Sequence, residues 1–196
     1  MTIERLPPID PSRTGDWIQT FTGVCFWPLD PRPEEIHLMD LAHALSMICR
    51  YAGHTRDFYS VAEHCVLVSQ HVAPKHALWG LLHDAGEAYT ADIPRPLKRH
   101  LNEWQPIEAR IMAAVCERFG LAPEEPDEVK HIDLAITADE RAELMSWCRR
   151  DWSLLPDPIG AHIQCLSPKE AKQAFIARYL DLIEGELNSR QRRARA

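Results

Sequence analysis

The segment LLHDAGEAYTADIPRPLK at residues 81–98 follows an apolar run and brings three polar groups close together in the chain. His83 is adjacent to Asp84, and Glu87 comes one helical turn later. Residues three and four apart share a face of a helix, so Glu87 is expected to lie over both members of this His-Asp pair. Polar groups on one buried face carry a large desolvation cost unless a charged group, such as a metal ion, compensates it. The segment therefore predicts a metal site rather than a solvated helix end.

Two prolines, Pro94 and Pro96, follow the predicted helix. They exclude regular helix there, because proline lacks a backbone donor and biases the preceding residue away from helical angles. Asp92, Arg95 and Lys98 are therefore predicted to lie on a stiff loop and short turn just beyond the His-Asp pair. Binding groups commonly gather on loops of this kind.

Apolar residues recur at helical spacing along most of the chain and predict an all-α fold. One helix is predicted over 38–51, closed by Arg50. The capping box SVAE at 60–63 opens a second helix, which carries His64 with its imidazole facing inward. Further helices are predicted from 74 to about 90, over 106–119, from 126 or 127 to 147, and from 167 to about 187.

The two ends of the chain differ from the helical part. Residues 1–37 are expected to form ordered irregular structure that covers the helical core, and the alternative is that they form one wall of a pocket. The tail at 190–196 contains four arginines and no apolar anchor, so it is expected to fray.

The composition is that of an ordinary globular chain of one domain, with 196 residues, 45% of them hydrophobic and 26% charged. The formal net charge of -7 argues against a general nucleic-acid binder, whereas a small anionic substrate can still enter a locally positive pocket. The six cysteines occur singly, which is typical of buried thiols in a reducing compartment. We find no secretory leader and no apolar run long enough to span a bilayer, so we expect a cytoplasmic protein.

Asp133 is the predicted fourth member of the metal site, because it lies among apolar residues at helical spacing and is expected to face the core. The rival acid on the same predicted helix, Asp139, is surrounded by charged residues and is expected on a solvated face. Together, His64, the His-Asp pair and Asp133 make a mixed nitrogen and oxygen site that suits a divalent ion such as Mn, Co, Fe, Ni or Zn.

These motifs resemble those of the HD-domain phosphohydrolase superfamily and, within it, those of the bacterial 5'-deoxynucleotidase family. The similar segments are SVAEH at 60–64, HDAGE at 83–87, TADIPRPLK at 90–98 and VKHID at 129–133. The resemblance covers about 41–147 and implies an all-helical bundle with a catalytic metal. We accordingly expect a single HD domain over 1–196, with an irregular segment at 1–37, a metal-binding core at 38–150, and a loop, helix and tail at 151–196.

The resemblance also implies a role for each side chain of the site. By similarity the metal ligands are His64, His83, Asp84 and Asp133. Glu87 matches the catalytic acid that handles the attacking water or the leaving oxygen, and the aspartate of the His-Asp pair acts with it. Arg50 matches a phosphate-binding arginine, and Asp92 matches an acid that holds the 3'-hydroxyl of the sugar. Lys98 adds positive charge nearby, and Tyr51 stands where the family has a tryptophan that helps to reject ribonucleotides.

The function that this resemblance implies is hydrolysis of the phosphate of deoxyribonucleoside 5'-monophosphates with one divalent ion: Co, Mn, Fe, Ni, Zn or Mg. One alternative is a deoxynucleoside triphosphate triphosphohydrolase that uses the same metal site, as in phage dATP triphosphohydrolases. Another is a non-catalytic nucleotide-binding HD module. The expected partner is a small-molecule nucleotide, with no nucleic-acid polymer and no membrane, and the resemblance implies a homodimer.

Overall fold

The computed structural model describes residues 10–152 and 155–194, and it is mostly α-helical, which confirms the predicted all-α fold. The helices are α1 (Leu38–Met47), α2 (Val61–His71), α3 (Ala77–Leu82), α4 (Glu87–Thr90), α5 (Arg95–Lys98), α6 (Trp104–Phe119), α7 (Asp127–Leu144) and α8 (Pro168–Ala194). Two short strands, β1 (Ile18–Gln19) and β2 (Cys25–Phe26), pair antiparallel. Within the described ranges, no helix combines the length and the apolar character needed to cross a membrane.

Helix α2 is the centre of the bundle, and it contacts α1, α3, α7 and α8. All of residues 61–69 are buried, so the helix has no solvated face along most of its length. The hydroxyl of Ser60 accepts the N–H of Glu63 at 3.1 Å and caps the helix as predicted. The Glu63 carboxylate does not complete the capping box. It accepts the backbone N–H groups of 164–166 instead, which ties the loop before α8 to the start of α2.

Helices α2 and α3 approach each other closely at Gly80. A β-carbon at this position would lie 3.1 Å from the Cα of Ser69, so a larger residue would push the two helices apart. The Ser69 hydroxyl donates to a carbonyl of α3 at 2.7 Å and accepts from Arg178 of α8 at 2.9 Å. This packing brings His83, just beyond α3, against His64 on α2, with 5.2 Å between the ring centroids.

The N-terminal segment covers the helical core, in agreement with its predicted role. Phe26 is fully buried and stacks on Tyr89 of α4 at 3.8 Å between centroids. The segment also forms one wall of a cavity of about 310 Å³ against α1 and α4. This agrees with the alternative prediction, that the segment forms one wall of a pocket. Residues 1–9 of the predicted segment lie outside the described residues.

Two predicted helices are interrupted near the site. Helix α1 ends at Met47, and Arg50 opens a separate 3-10 turn, Arg50–Gly53, instead of closing the helix. Tyr51 and Ala52 have φ values of 56° and 52°, in the left-handed region, where a right-handed helix cannot continue. Similarly, α3 ends at Leu82, and a tight turn over 83–86 leads into α4, with backbone N–H groups bonded to carbonyls three residues back.

The C-terminal helix is longer than predicted. It extends to Ala194 rather than ending near 187, and the fraying of the tail stays a prediction. The last two residues of the tail, 195–196, lie outside the described part of the chain.

The prediction that Asp139 lies on a solvated face is wrong. The residue is only 8% exposed, and its carboxylate accepts the backbone N–H groups of Ile159, Gly160 and Ala161 at 3.0–3.2 Å. The loop that follows α7 folds back over this side of the helix, and the local run of charges gives no sign of that loop. Asp139 is therefore a structural anchor for the loop.

We expect Asp139→Asn to destabilise the protein. The asparagine keeps one acceptor oxygen but turns an amide NH₂ towards backbone donors, which lowers the free energy of unfolding by about 2 kcal/mol. For a chain of this size the melting temperature falls by roughly 4–8 °C. Thermal denaturation followed by circular dichroism measures this, with the exposed Glu143→Gln on the same helix as the matched control. An unchanged melting temperature for Asp139→Asn would contradict the anchor role.

Candidate metal centre

The structure brings the four predicted metal ligands together from α2, the turn after α3, and α7. The distance from His64 Nε2 is 3.0 Å to Asp133 Oδ1 and 4.0 Å to Asp84 Oδ2. The distance from His83 Nε2 is 3.3 Å to Asp84 Oδ2 and 4.0 Å to Asp133 Oδ1. Ligand atoms held at about 2.1 Å from one ion lie roughly 3.0 Å apart when adjacent and roughly 4.2 Å apart when opposite. These four distances fall within this interval. The ligand atoms of His64, His83 and Asp133 all lie within 4.8 Å of one another, whereas Asp84 forms a second such group with His83 and Cys65.

The Nε2 atoms of both imidazoles lie among the carboxylate oxygens of Asp84 and Asp133. The Nδ1 atom of His64 lies 2.6 Å from Glu140 Oε1, and that of His83 lies 2.8 Å from the Gly80 carbonyl oxygen. A carbonyl and an ionised carboxylate only accept, so Nδ1 carries a hydrogen in each ring and Nε2 is the atom available to a cation. Both Nε2 atoms are buried and make no hydrogen bond to any described residue. This is costly unless a bound group compensates it, so the donor set fits a divalent metal.

The charges around the centre also suit a cation. Burial raises the pKa of Asp84, but the nearby charges of His83, His64 and Arg50 outweigh it and hold the pKa well below its ordinary value. Burial likewise raises the pKa of Asp133, and the contact with His64 lowers it overall. Both carboxylates are therefore ionised at neutral pH, as metal ligands must be.

The protonation of the two histidines is set by the same neighbours. Burial lowers the pKa of His83, but Asp84 outweighs it and raises the pKa well above the ordinary value. Burial and Arg50 lower the pKa of His64, and contacts with Glu140 and Asp133 raise it overall. These neighbours favour the charged form of each ring, which cannot bind a metal through Nε2, so metal affinity is expected to fall as the pH falls.

One further ligand-type atom lies at the centre. The Cys65 thiol is buried in α2, next to His64 in the chain, and its sulfur lies within 4.8 Å of ligand atoms of His83 and Asp84. Burial raises the pKa of this thiol and disfavours the thiolate, which is the form that binds metals. The carboxylates of Asp84 and Asp133 are therefore better ligands than this thiol. The sequence analysis did not single out Cys65.

Glu87 borders the centre from the start of α4. It is 6% exposed and lines, with His83, Asp84 and Asp133, a cleft of about 400 Å³. Its Oε1 atom lies 3.4 Å from Lys98 Nζ, and its buried Oε2 atom has no hydrogen-bond partner in the described ranges. Burial, followed by the charges of Asp84 and Asp92, raises the pKa of Glu87 well above its ordinary value. Both causes favour the protonated form, which is the form that can give up a proton.

The remaining predicted side chains lie at the edges of the centre. Arg50, 9% exposed, reaches Asp84 Oδ2 with Nη1 at 3.4 Å and Glu140 Oε2 with Nη2 at 3.2 Å. The hydroxyl of Tyr51 donates to the same Glu140 carboxylate. Asp92 is half-buried near Glu87. Lys98 Nζ also lies 2.7 Å from Oε1 of Glu108, a second acid of the cleft, on α6. Contact of these residues with a substrate stays a prediction.

Glu140 is the important residue that the sequence analysis missed, because it was grouped with the solvated acids around Asp139. It is fully buried, and its carboxylate accepts from Arg50, Tyr59 and His64 as well as from Tyr51. Burial raises its pKa, but the charges of Arg50 and His64 outweigh it and lower the pKa to about 2. Glu140 lies seven residues after Asp133, so both are on one face of α7. This spacing is the feature of the sequence that could have identified Glu140 as part of the site.

The chain is similar to two proteins over most of its length. YfdR of Escherichia coli strain K12 is 40% identical over 171 residues, which cover 86% of this chain and 96% of YfdR. RCAP_rcc00048 of Rhodobacter capsulatus is 32% identical over 183 residues, which cover 83% of this chain and 93% of that protein. Both are described as uncharacterized proteins, so they carry no information about activity. No family model matches the chain.

We expect the protein to bind one divalent ion per chain through these ligands. Asp133→Asn should weaken Mn²⁺ binding by more than the roughly 10–100-fold that is typical of losing an outer-shell partner. Isothermal calorimetry on the metal-free protein measures the affinity, and metal analysis after dialysis measures the stoichiometry. Asp139→Asn, on the same helix but away from the centre, is the matched control and should bind normally. Loss of binding in the control, with retention in Asp133→Asn, would show that the ligand set is wrong.

Proposed function

The chain belongs to the same protein family as YfdR of Escherichia coli, and we propose that it is a metal-dependent phosphohydrolase that releases phosphate from deoxyribonucleoside 5'-monophosphates. The observation that carries the proposal is the pair of buried Nε2 atoms of His64 and His83, which make no hydrogen bond in the described ranges and lie close to two ionised carboxylates and to Glu87, whose pKa is raised. The resemblance of the surrounding motifs to those of 5'-deoxynucleotidases supplies the substrate class.

The four proposed ligands and the cleft beside them would form the active site. His64 and His83 would hold the ion through Nε2, and Asp84 and Asp133 through their carboxylates. When bound, a divalent ion lowers the pKa of water from about 15.7 towards 7 and offsets the negative charge of phosphate oxygens. The cleft of about 400 Å³ beside these ligands is large enough for a small nucleotide and is walled by α6 on the other side.

Glu87 is the residue that moves a proton. In its protonated form it would donate to the 5'-oxygen of the nucleoside as the bond between phosphorus and that oxygen breaks. An oxygen from water bonds to phosphorus in its place, which yields orthophosphate and the nucleoside. Lys98 Nζ, 3.4 Å from Oε1, then stabilises the carboxylate that remains. A positioned acid of this kind typically contributes about 10²–10⁴-fold to the rate.

Arg50 is the residue that would bind the phosphate. A guanidinium has five N–H donors, and the contacts with Glu140 and Asp84 occupy only some of them. The remaining donors can bind phosphate oxygens with the added strength of a charge-assisted bond. Asp92 would accept a hydrogen bond from the 3'-hydroxyl, and substrates without that group would leave its carboxylate unpaired.

Product analysis on ribo- and deoxyribonucleotides, as mono- and triphosphates, with Mn²⁺, Co²⁺, Mg²⁺ and Zn²⁺, tests the proposal. We expect orthophosphate from deoxyribonucleoside monophosphates, and no product in the presence of EDTA. Tripolyphosphate from deoxyribonucleoside triphosphates would instead identify a triphosphohydrolase that uses the same ligands. Nucleotide binding without any product would identify a non-catalytic module.

We expect Glu87→Gln to lower kcat by about 10²–10⁴-fold, because glutamine cannot give up a proton. The Mn²⁺ affinity should change little, since Glu87 is not among the proposed ligands. Steady-state kinetics and calorimetry measure the two quantities. Glu108→Gln is the matched control, because this acid lines the same cleft and binds the same Lys98 Nζ at 2.7 Å. Equal kcat in Glu87→Gln and the native protein would remove Glu87 from the mechanism.

A further inference from the structure

We propose that Glu140 is a positioning residue that holds the metal ligand His64 and the phosphate-binding Arg50 in one arrangement, although it contacts neither metal nor substrate. This inference deepens the proposed function and rests on its metal centre, but not on the identity of the nucleotide.

The two oxygens of Glu140 serve two different parts of the site. Oε1 accepts from His64 Nδ1 at 2.6 Å and from the Tyr59 hydroxyl at 2.8 Å. Oε2 accepts from Arg50, with Nε at 3.3 Å and Nη2 at 3.2 Å, and from the Tyr51 hydroxyl. A carboxylate has about four lone-pair positions, so these donors saturate it. Glu140 therefore acts through its neighbours rather than as a ligand.

On the metal side, the bond from Nδ1 to Oε1 sets the tautomer of His64. It keeps the hydrogen on Nδ1 and leaves Nε2, 3.0 Å from Asp133 Oδ1, to bind the ion. It also fixes the orientation of the ring and makes it a more basic ligand, as a carboxylate does behind many metal-bound histidines. Because the His64 side chain is fully buried, no water competes for this bond.

On the phosphate side, Glu140 holds a strained segment of backbone. Tyr51 and Ala52, both left-handed, follow Arg50 directly. Such angles are unfavourable for residues other than glycine and persist only where the surroundings enforce them. The bonds from Arg50 and the Tyr51 hydroxyl to Glu140 Oε2 provide that enforcement and aim Nη1 of Arg50 at Asp84. One carboxylate on α7 thus sets the distance between metal and phosphate sites.

Glu140→Gln tests this role, because glutamine has a single acceptor oxygen. In either orientation its NH₂ group faces donors, either those of His64 and Tyr59 or those of Arg50 and Tyr51. We expect the Mn²⁺ affinity of the metal-free protein to fall about 10–100-fold. Inhibition by inorganic phosphate should also weaken. Calorimetry at fixed pH and inhibition kinetics measure these effects, and circular dichroism checks the fold.

Asp139→Asn is the matched control, since this neighbouring buried acid binds only backbone N–H groups in the described structure. It should lower the melting temperature and leave Mn²⁺ and phosphate binding unchanged. If Glu140→Gln behaves like this control, Glu140 is merely structural and the inference is overturned. If Glu140→Gln weakens Mn²⁺ binding while the native protein hydrolyses no nucleotide, the positioning role stands and the proposed function fails.

A second variant keeps the inference testable if Glu140→Gln does not fold. Glu140→Asp retains the carboxylate but withdraws it by one methylene from His64 and Arg50. We expect Mn²⁺ affinity between that of the native protein and the 10–100-fold loss, with phosphate inhibition also weakened. Native affinity for both Mn²⁺ and phosphate in this variant would overturn the proposed positioning.

Discussion

Burial of the His64 imidazole in the middle of the bundle is the constraint on which the rest of the site depends. The ring lies on α2 and has no exposed surface, so water cannot satisfy either nitrogen. One nitrogen is paired with Glu140, and the other is left among the donor atoms of His83, Asp84 and Asp133. A polar ring in this position is stable only if both nitrogens have partners, and a divalent ion is the partner that this donor set fits.

Some buried acids of the bundle hold the backbone in place, and another holds side chains of the candidate site. Glu63 and Asp139 accept only backbone N–H groups among the described contacts, and each anchors part of the loop between α7 and α8. Glu140, next to Asp139 in the chain, instead accepts from Arg50 and His64, two side chains of the candidate metal centre. Adjacent residues of one helix therefore serve different purposes, because they point to different neighbours.

The electrostatics of the centre follow from the same arrangement. Asp84 and Asp133 lie beside the histidines, and Asp84 also beside Arg50, so both are kept ionised in spite of burial. Glu87 lies a short distance away next to further carboxylates, and burial with like charge raises its pKa. The neighbours of the carboxylates in one cleft thus move their pKa values in opposite directions, which is the division that the proposed acid-assisted hydrolysis needs.

The sequence by itself determined the all-α fold and the capped start of α2, because helical periodicity and capping are local properties. The choice of the four converging side chains also rested on the resemblance of their motifs to a known family. The sequence did not predict the breaks after Met47 and Leu82, where tertiary contacts hold non-helical or tightened backbone against local propensity. Nor did it separate Asp139 and Glu140 from solvated acids. Whether a charge on a helix is solvated depends on what packs over it, and only the tertiary structure places the 159–161 loop over Asp139, and the Arg50 turn and α2 against Glu140.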